Sequence, residues 1–170
     1  MNIAQKQVFS STARGVPGQK ASLNGGFNYH PNTLISEGLV QVGNFVWLSN
    51  NDPETLAVNH APGRPPDYID LTKVKPLGFV ERNIAYPDYD PLSPGTLTLP
   101  EGSPLAVATR GDFWAVAPSD SVVGMKVFAV LANGSLLTSG SGNDLDGAVE
   151  TDWVVVTAGQ AGETIIISSH

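Results

Sequence analysis

The chain contains no cysteine. Disulfide staples, thiolate nucleophiles and thiolate metal sites are therefore excluded together, and stability must come from burial and hydrogen bonding. Cations are also scarce: 9 Lys and Arg stand against 16 Asp and Glu, a formal charge of −7. A duplex or an anionic membrane is bound by clustered cations, and no such cluster is present, so neither nucleic acid nor membrane is an expected partner. The longest apolar runs, such as Val127 to Ala132, stop far short of the roughly 18 residues a spanning helix needs. The opening residues MNIAQKQVFSS lack the apolar stretch of a secretory signal, so the chain is expected to be made in a cytoplasm and released by another route.

Helical periodicity is missing too. No window of about a dozen residues carries an apolar stripe at helical spacing without an interrupting glycine or proline. What the chain has instead is punctuation: 18 Gly and 13 Pro among 170 residues, scattered between short apolar runs. That pattern belongs to an all-β protein, read here as a small β-barrel or β-sandwich with an extended N-terminal arm.

Residues 1–33 form the arm: ARGVPGQKASLNGGFNYHPN is rich in small and polar residues and has no period, so it cannot bury enough apolar area to fold alone. Residues 34–170 form a single β domain with proline-rich loops at 49–76 and 83–95. LVQVGNFVWL (39–48) reads as a strand or bulged strand, a short strand is expected near Thr55–Val58, and LGFVER (77–82) is another. TLTLPEGSPLAVAT is strand, turn, strand, and DFWAVA follows as a further strand. MKVFAVLANGSLLTS is a hairpin whose Asn133-Gly134 corner favours a type I′ turn. WVVVT and ETIIIS read as a closing pair of buried strands.

Signals for chemistry are weak. His30, His60 and His170 are far apart, lack ligand spacing and read as solvated loop residues, so no metal or cofactor is expected. Asp144 and Asp146 precede Gly147, but the first and last ligand places of an EF-hand would fall on Gly142 and Trp153, which cannot serve. Asp88 with Asp90, and Glu150 with Asp152, are sequence neighbours, whereas general acid–base work needs two carboxylates in different environments across a cleft. An enzyme is not expected. Arg110-Gly111-Asp112 spells an adhesion tripeptide but lies between two strands, where glycine and aspartate suit a tight connection. Asn133-Gly134-Ser135 matches a glycosylation acceptor, yet the turn accounts for it. Trp47, Trp114 and Trp153 lie in apolar strand patterns and read as core or interface anchors rather than sugar platforms.

Five stretches carry a resemblance: ARGVPGQKAS (13–22), PLGFVER (76–82), LPEGSPLAVATRGDFWAVA (99–117), VVGMKVFAVLANGSL (122–136) and TDWVVVTAGQAGETIIIS (151–168). In this order they resemble the structural cement, or capsid decoration, proteins of tailed bacteriophages. The resemblance implies a virion structural protein that binds the outside of an assembled icosahedral capsid, as a homotrimer, with the major capsid protein as partner. Synthesis in the bacterial host cytoplasm follows from that. An acidic chain suits an outer surface, and an arm unable to fold alone suits a strap across neighbouring subunits. The contact residues expected are Arg14, Val16, Pro17 and Gln19 in the arm, with the loop aromatics Tyr68, Tyr86 and Tyr89. The alternative is a carbohydrate- or receptor-binding module on a virion surface, using those exposed aromatics.

Overall fold

The computed structural model describes residues 15–22, 26–49, 57–61, 74–83, 98–140 and 145–170, and among them every regular element is a strand. The C-terminal third makes the more regular half. Its strands are β10 (Asp112–Val116), β11 (Lys126–Val130), β12 (Leu136–Ser139), β13 (Ala148–Val155) and β14 (Thr164–Ser168). They form one antiparallel sheet in the order β10-β14-β13-β11-β12. Alternation sets the inner face. Phe113 and Ala115 of β10 oppose Ile167 and Ile165 of β14, and all four are fully buried. On β13, Val149, Thr151, Trp153 and Val155 point inward while Glu150 and Asp152 point out. The one hydroxyl this places inside, on Thr151, donates to the Val127 carbonyl at 2.7 Å, so its burial leaves no unpaired donor.

The earlier strands are short: β1 (Asn28–Tyr29), β2 (Leu34–Ser36), β3 (Val40–Gln41), β4 (Phe45–Leu48), β5 (Ala57–Asn59), β6 (Gly78–Val80), β7 (Thr98–Leu99), β8 (Pro104–Leu105) and β9 (Val107–Arg110). Seven of them make a mixed sheet in the order β1-β9-β6-β4-β5-β2-β8, and β3 pairs with β7 alone. Its central strands β4 and β6 are buried on both faces. Phe45, Phe79 and Ala108 enter one core cluster with Phe113 and Trp153, whereas their strand neighbours Val46, Val80 and Val107 enter a second cluster with Leu34, Val40 and Leu99. Strands covered on both sides read as continuous apolar runs rather than as alternation, which is why FVW and GFV show no period of two. Between the two sheets the rings of Phe45, Phe79, Phe113 and Trp153 meet at centroid distances from 5.3 to 6.3 Å, mostly edge-on or tilted. Such pairs add about 0.5–1.5 kcal/mol each beyond their buried area.

The architecture is all-β and sandwich-like, and no sheet closes into a barrel. The expected strand over 39–48 is two strands, β3 and β4, separated by a turn at Val42–Asn44. The short strand expected near Thr55–Val58 is found at Ala57–Asn59, where it pairs in parallel with β2; Thr55 and Leu56 lie outside the described residues. The β11–β12 corner also differs. A type I′ turn needs positive φ at two residues, but only Gly134 has it (+67°), and the Gly134 N–H reaches back to the Val130 carbonyl at 2.8 Å. The corner is therefore a four-residue loop ending in a left-handed glycine. Packing imposes this: a Cβ on Gly134 would lie 2.1 Å from the Phe45 carbonyl oxygen, because the loop docks on β4.

Arg110-Gly111-Asp112 is the corner at which the chain leaves one sheet for the other. Gly111 has φ +140°, and a Cβ there would strike the Phe27 ring at 2.3 Å. Ser169 holds the corner from the far end of the chain, its N–H donating to the Gly111 carbonyl at 3.2 Å. The tripeptide is a structural junction.

Candidate functional site

Residues 15–22, read from sequence as part of the arm, run antiparallel along the outer edge of β10. The Gly18 N–H donates to the Trp114 carbonyl, the Trp114 N–H to the Gln19 carbonyl, and the Ala21 N–H to the Asp112 carbonyl, each at 2.8 Å. Arg82 N–H donates to the Gly18 carbonyl, which ties the same segment to the strand β6 exit. Further on, β1 pairs with β9. Glycine and proline suit this path because the segment lies flat on its neighbours: a side chain at Gly15 would overlap the Trp114 indole, 2.1 Å from Cδ1. Lys20 secures the segment from above, 3.2 Å from the Glu81 carboxylate and 5.2 Å from the Phe27 and Tyr29 ring centres.

Of the arm residues expected to make contacts, Val16 and Gln19 are exposed and Pro17 is half-buried. A tight turn sets them, with Gln19 N–H donating to the Val16 carbonyl and Val16 N–H to the Gln19 side-chain oxygen. Arg14, Tyr68, Tyr86 and Tyr89 lie outside the described residues, as do Asp88, Asp90 and Asp144. Trp47 and Trp153 are buried in the core, and the half-buried Trp114 packs against Gly15.

Sequence reasoning missed a groove of about 560 Å³ beside this turn. Pro17 and Gly43 form part of its wall, with Leu39, Val116, Pro118, Leu136 and Leu137 around it. Val116 of β10 and Leu136 and Leu137 of β12, from opposite edges of the five-stranded sheet, line it together with the turn between β3 and β4. Thr138 of β12 is hydrogen-bonded through its hydroxyl to Ser121 at 2.8 Å. Among the described residues no charged side chain lines the groove. The nearest sequence signal was Leu39, an apolar residue that proves 70% exposed.

His60 also lines the groove, and it is not the solvated loop residue expected from sequence. Its Nε2 accepts the Gln41 N–H at 2.6 Å, and its Nδ1 lies 2.8 Å from the Phe45 carbonyl, to which it must donate. One tautomer of the neutral ring satisfies both bonds. Burial holds its pKa below the ordinary histidine value, partly opposed by the bond to Phe45. His170 sits 3.0 Å from Asp112, and His30 is bonded within its own turn to Asn32. Glu150 and Asp152 are separately engaged by Lys126 and Lys75, at 3.6 and 2.6 Å, and do not form a carboxylate pair. Among the described residues no three metal-ligating side chains gather.

No curated protein matches the sequence significantly. A chain from the capsid of Myoviridae phage XM1 shares the fold, with a TM-score of 0.59 at 11% identity, covering 99% of this chain and 98% of that one. The profile of the phage family described as structural cement protein (E217 gp24/Pam3 gp6) matches residues 4–170. Matched over nearly its whole length, the chain belongs to that family of virion structural proteins.

Proposed function

We propose that the chain binds the outer surface of an assembled phage capsid as a homotrimer and stabilises the joints between major capsid subunits. Its chemistry is adhesion, with no catalytic step. The observation that carries the reading is the pairing of the anchored turn at Val16–Gln19 with the adjacent uncharged groove, both on the rim of a rigid sandwich. A protein that touches two subunits gains binding free energy only while their joint is intact, so by linkage it favours the closed shell. Several weak contacts held on one body can exceed any single one by about 10²–10⁴ in avidity. The acidic surface supports an outer position, away from packaged DNA.

Because residues 15–22 and 28–29 are hydrogen-bonded into the body, the truncation that tests the strap begins at residue 15. Removal of residues 1–14 is expected to preserve the circular dichroism spectrum and lower binding to shells at least tenfold, as read by co-sedimentation. Undiminished binding would contradict the strap. In purified particles, quantitative mass spectrometry should find a stoichiometry near one copy per shell subunit. A handful of copies per particle, together with signal on a glycan array, would favour the receptor-binding alternative.

A further inference from the structure

The groove between β10 and β12 has features of a strand-acceptor site. From the β11–β12 register and the Val130 N–H to Ser135 carbonyl bond, strand alternation turns the N–H and C=O of Leu136 and Thr138 away from β11, onto the open edge. Among the described residues these groups have no main-chain partner. An open edge beside exposed apolar side chains is a template for an added strand. Leu39 and Val116, 70% and 44% exposed, flank the opening. Among the described residues its lining carries no ionised group, on a chain of net charge −7. A segment carrying charge would lose hydration there without gaining a partner, whereas a neutral one would not.

We propose that this groove takes an extended, uncharged segment of a shell subunit, which adds as a strand to the free edge of β12 and packs apolar side chains against Leu39 and Val116. The proposal rests on the capsid-binding reading and names its second contact. The first contact is the proposed strap of residues 1–14, and Pro17, in the turn that follows it in sequence, belongs to the groove wall. Gly15 lies on Trp114, which does not line the groove, whereas Pro17 does.

The absence of cysteine makes the test clean. Full-length protein carrying Leu39→Cys, at a position exposed enough to tolerate it, is labelled with a benzophenone maleimide, bound to purified shells and irradiated. The expected crosslink joins the groove to one uncharged stretch of the shell protein. Val116→Asp, also at an exposed position, should reduce that crosslink and weaken shell binding tenfold or more while leaving the thermal melting curve unchanged. Crosslinks to a second copy, to the chain's own first residues, or to nothing, with shell binding intact, would overturn the groove proposal and leave the capsid reading standing. Failure of the unmodified protein to bind shells at all would overturn both.

Discussion

The two sheets of this molecule bury similar residues by different rules. In the five-stranded sheet one face is inside and the other, apart from Phe128, is largely outside, so β13 alternates Val149, Thr151, Trp153, Val155 against Glu150 and Asp152. In the seven-stranded sheet β4, β6 and β9 send successive residues into two separate cores, and their strands are only three or four residues long. The first sheet is specified locally, strand by strand. The second exists because long-range partners close over it, with β2 beside both β5 and β8. The aromatic cluster joins them, which makes the interface between the sheets the place where the two rules meet.

That comparison can be broken at its hinge. Phe113→Ala removes the ring shared by both sheets and should cost about 3–5 kcal/mol, read as a fall in the denaturant midpoint. If the sheets were independent, two transitions would replace one. Gly134→Ala comes next. It forces a side chain into the left-handed region and against the Phe45 carbonyl, and should cost about 3 kcal/mol by undocking the hairpin from β4. A much smaller loss would mean that the hairpin tip does not hold the seven-stranded sheet.

His60 sharpens the same junction. Its folded pKa is lowered, so the unfolded chain binds its proton more readily as pH falls. The stability this contributes is fully present above the unfolded value of about 6.5 and is lost as pH falls from there toward the folded pKa. The melting temperature should fall as the pH is lowered below about 6.5, and His60→Gln should flatten that slope. An unchanged slope would mean that the ring bonds to Gln41 and Phe45 do not bear on stability. The smallest effect belongs to the outer face of β13, where Lys75→Ala breaks an exposed pair with Asp152 and should cost no more than about 0.5 kcal/mol.

How much was legible follows the same division. Polarity alternates along β13, and the other strands from β10 onward were readable as short apolar or β-branched runs between turn residues. The β4 region was only partly readable, since burial on two faces erases alternation and hides the turn at Val42–Asn44. The parallel β2–β5 pairing had no local signal, because nothing in Leu34–Ser36 indicates its partner. Asn133-Gly134 suggested the wrong turn since its conformation is set by contact with Phe45, a residue distant in sequence. His60 looked solvated for the same reason: its partners, Gln41 and Phe45, are brought to it by β3 and β4. At the candidate site, Val16, Pro17 and Gln19 stood out only as part of a glycine- and proline-rich arm, and the turn they form had no separate signal. Nor had the groove, since its lining comes from the arm, the β3–β4 turn, His60, β10 and β12, which are distant in sequence.

The central claim is that this protein stabilises the joints of a closed shell, and calorimetry of purified shells tests it most directly. Shells stripped of the protein and shells re-decorated with it would be heated under identical conditions. The account predicts that decoration raises the temperature of shell disruption by several degrees and that the gain disappears on removal of residues 1–14. Saturating occupancy with no change in that temperature would contradict it.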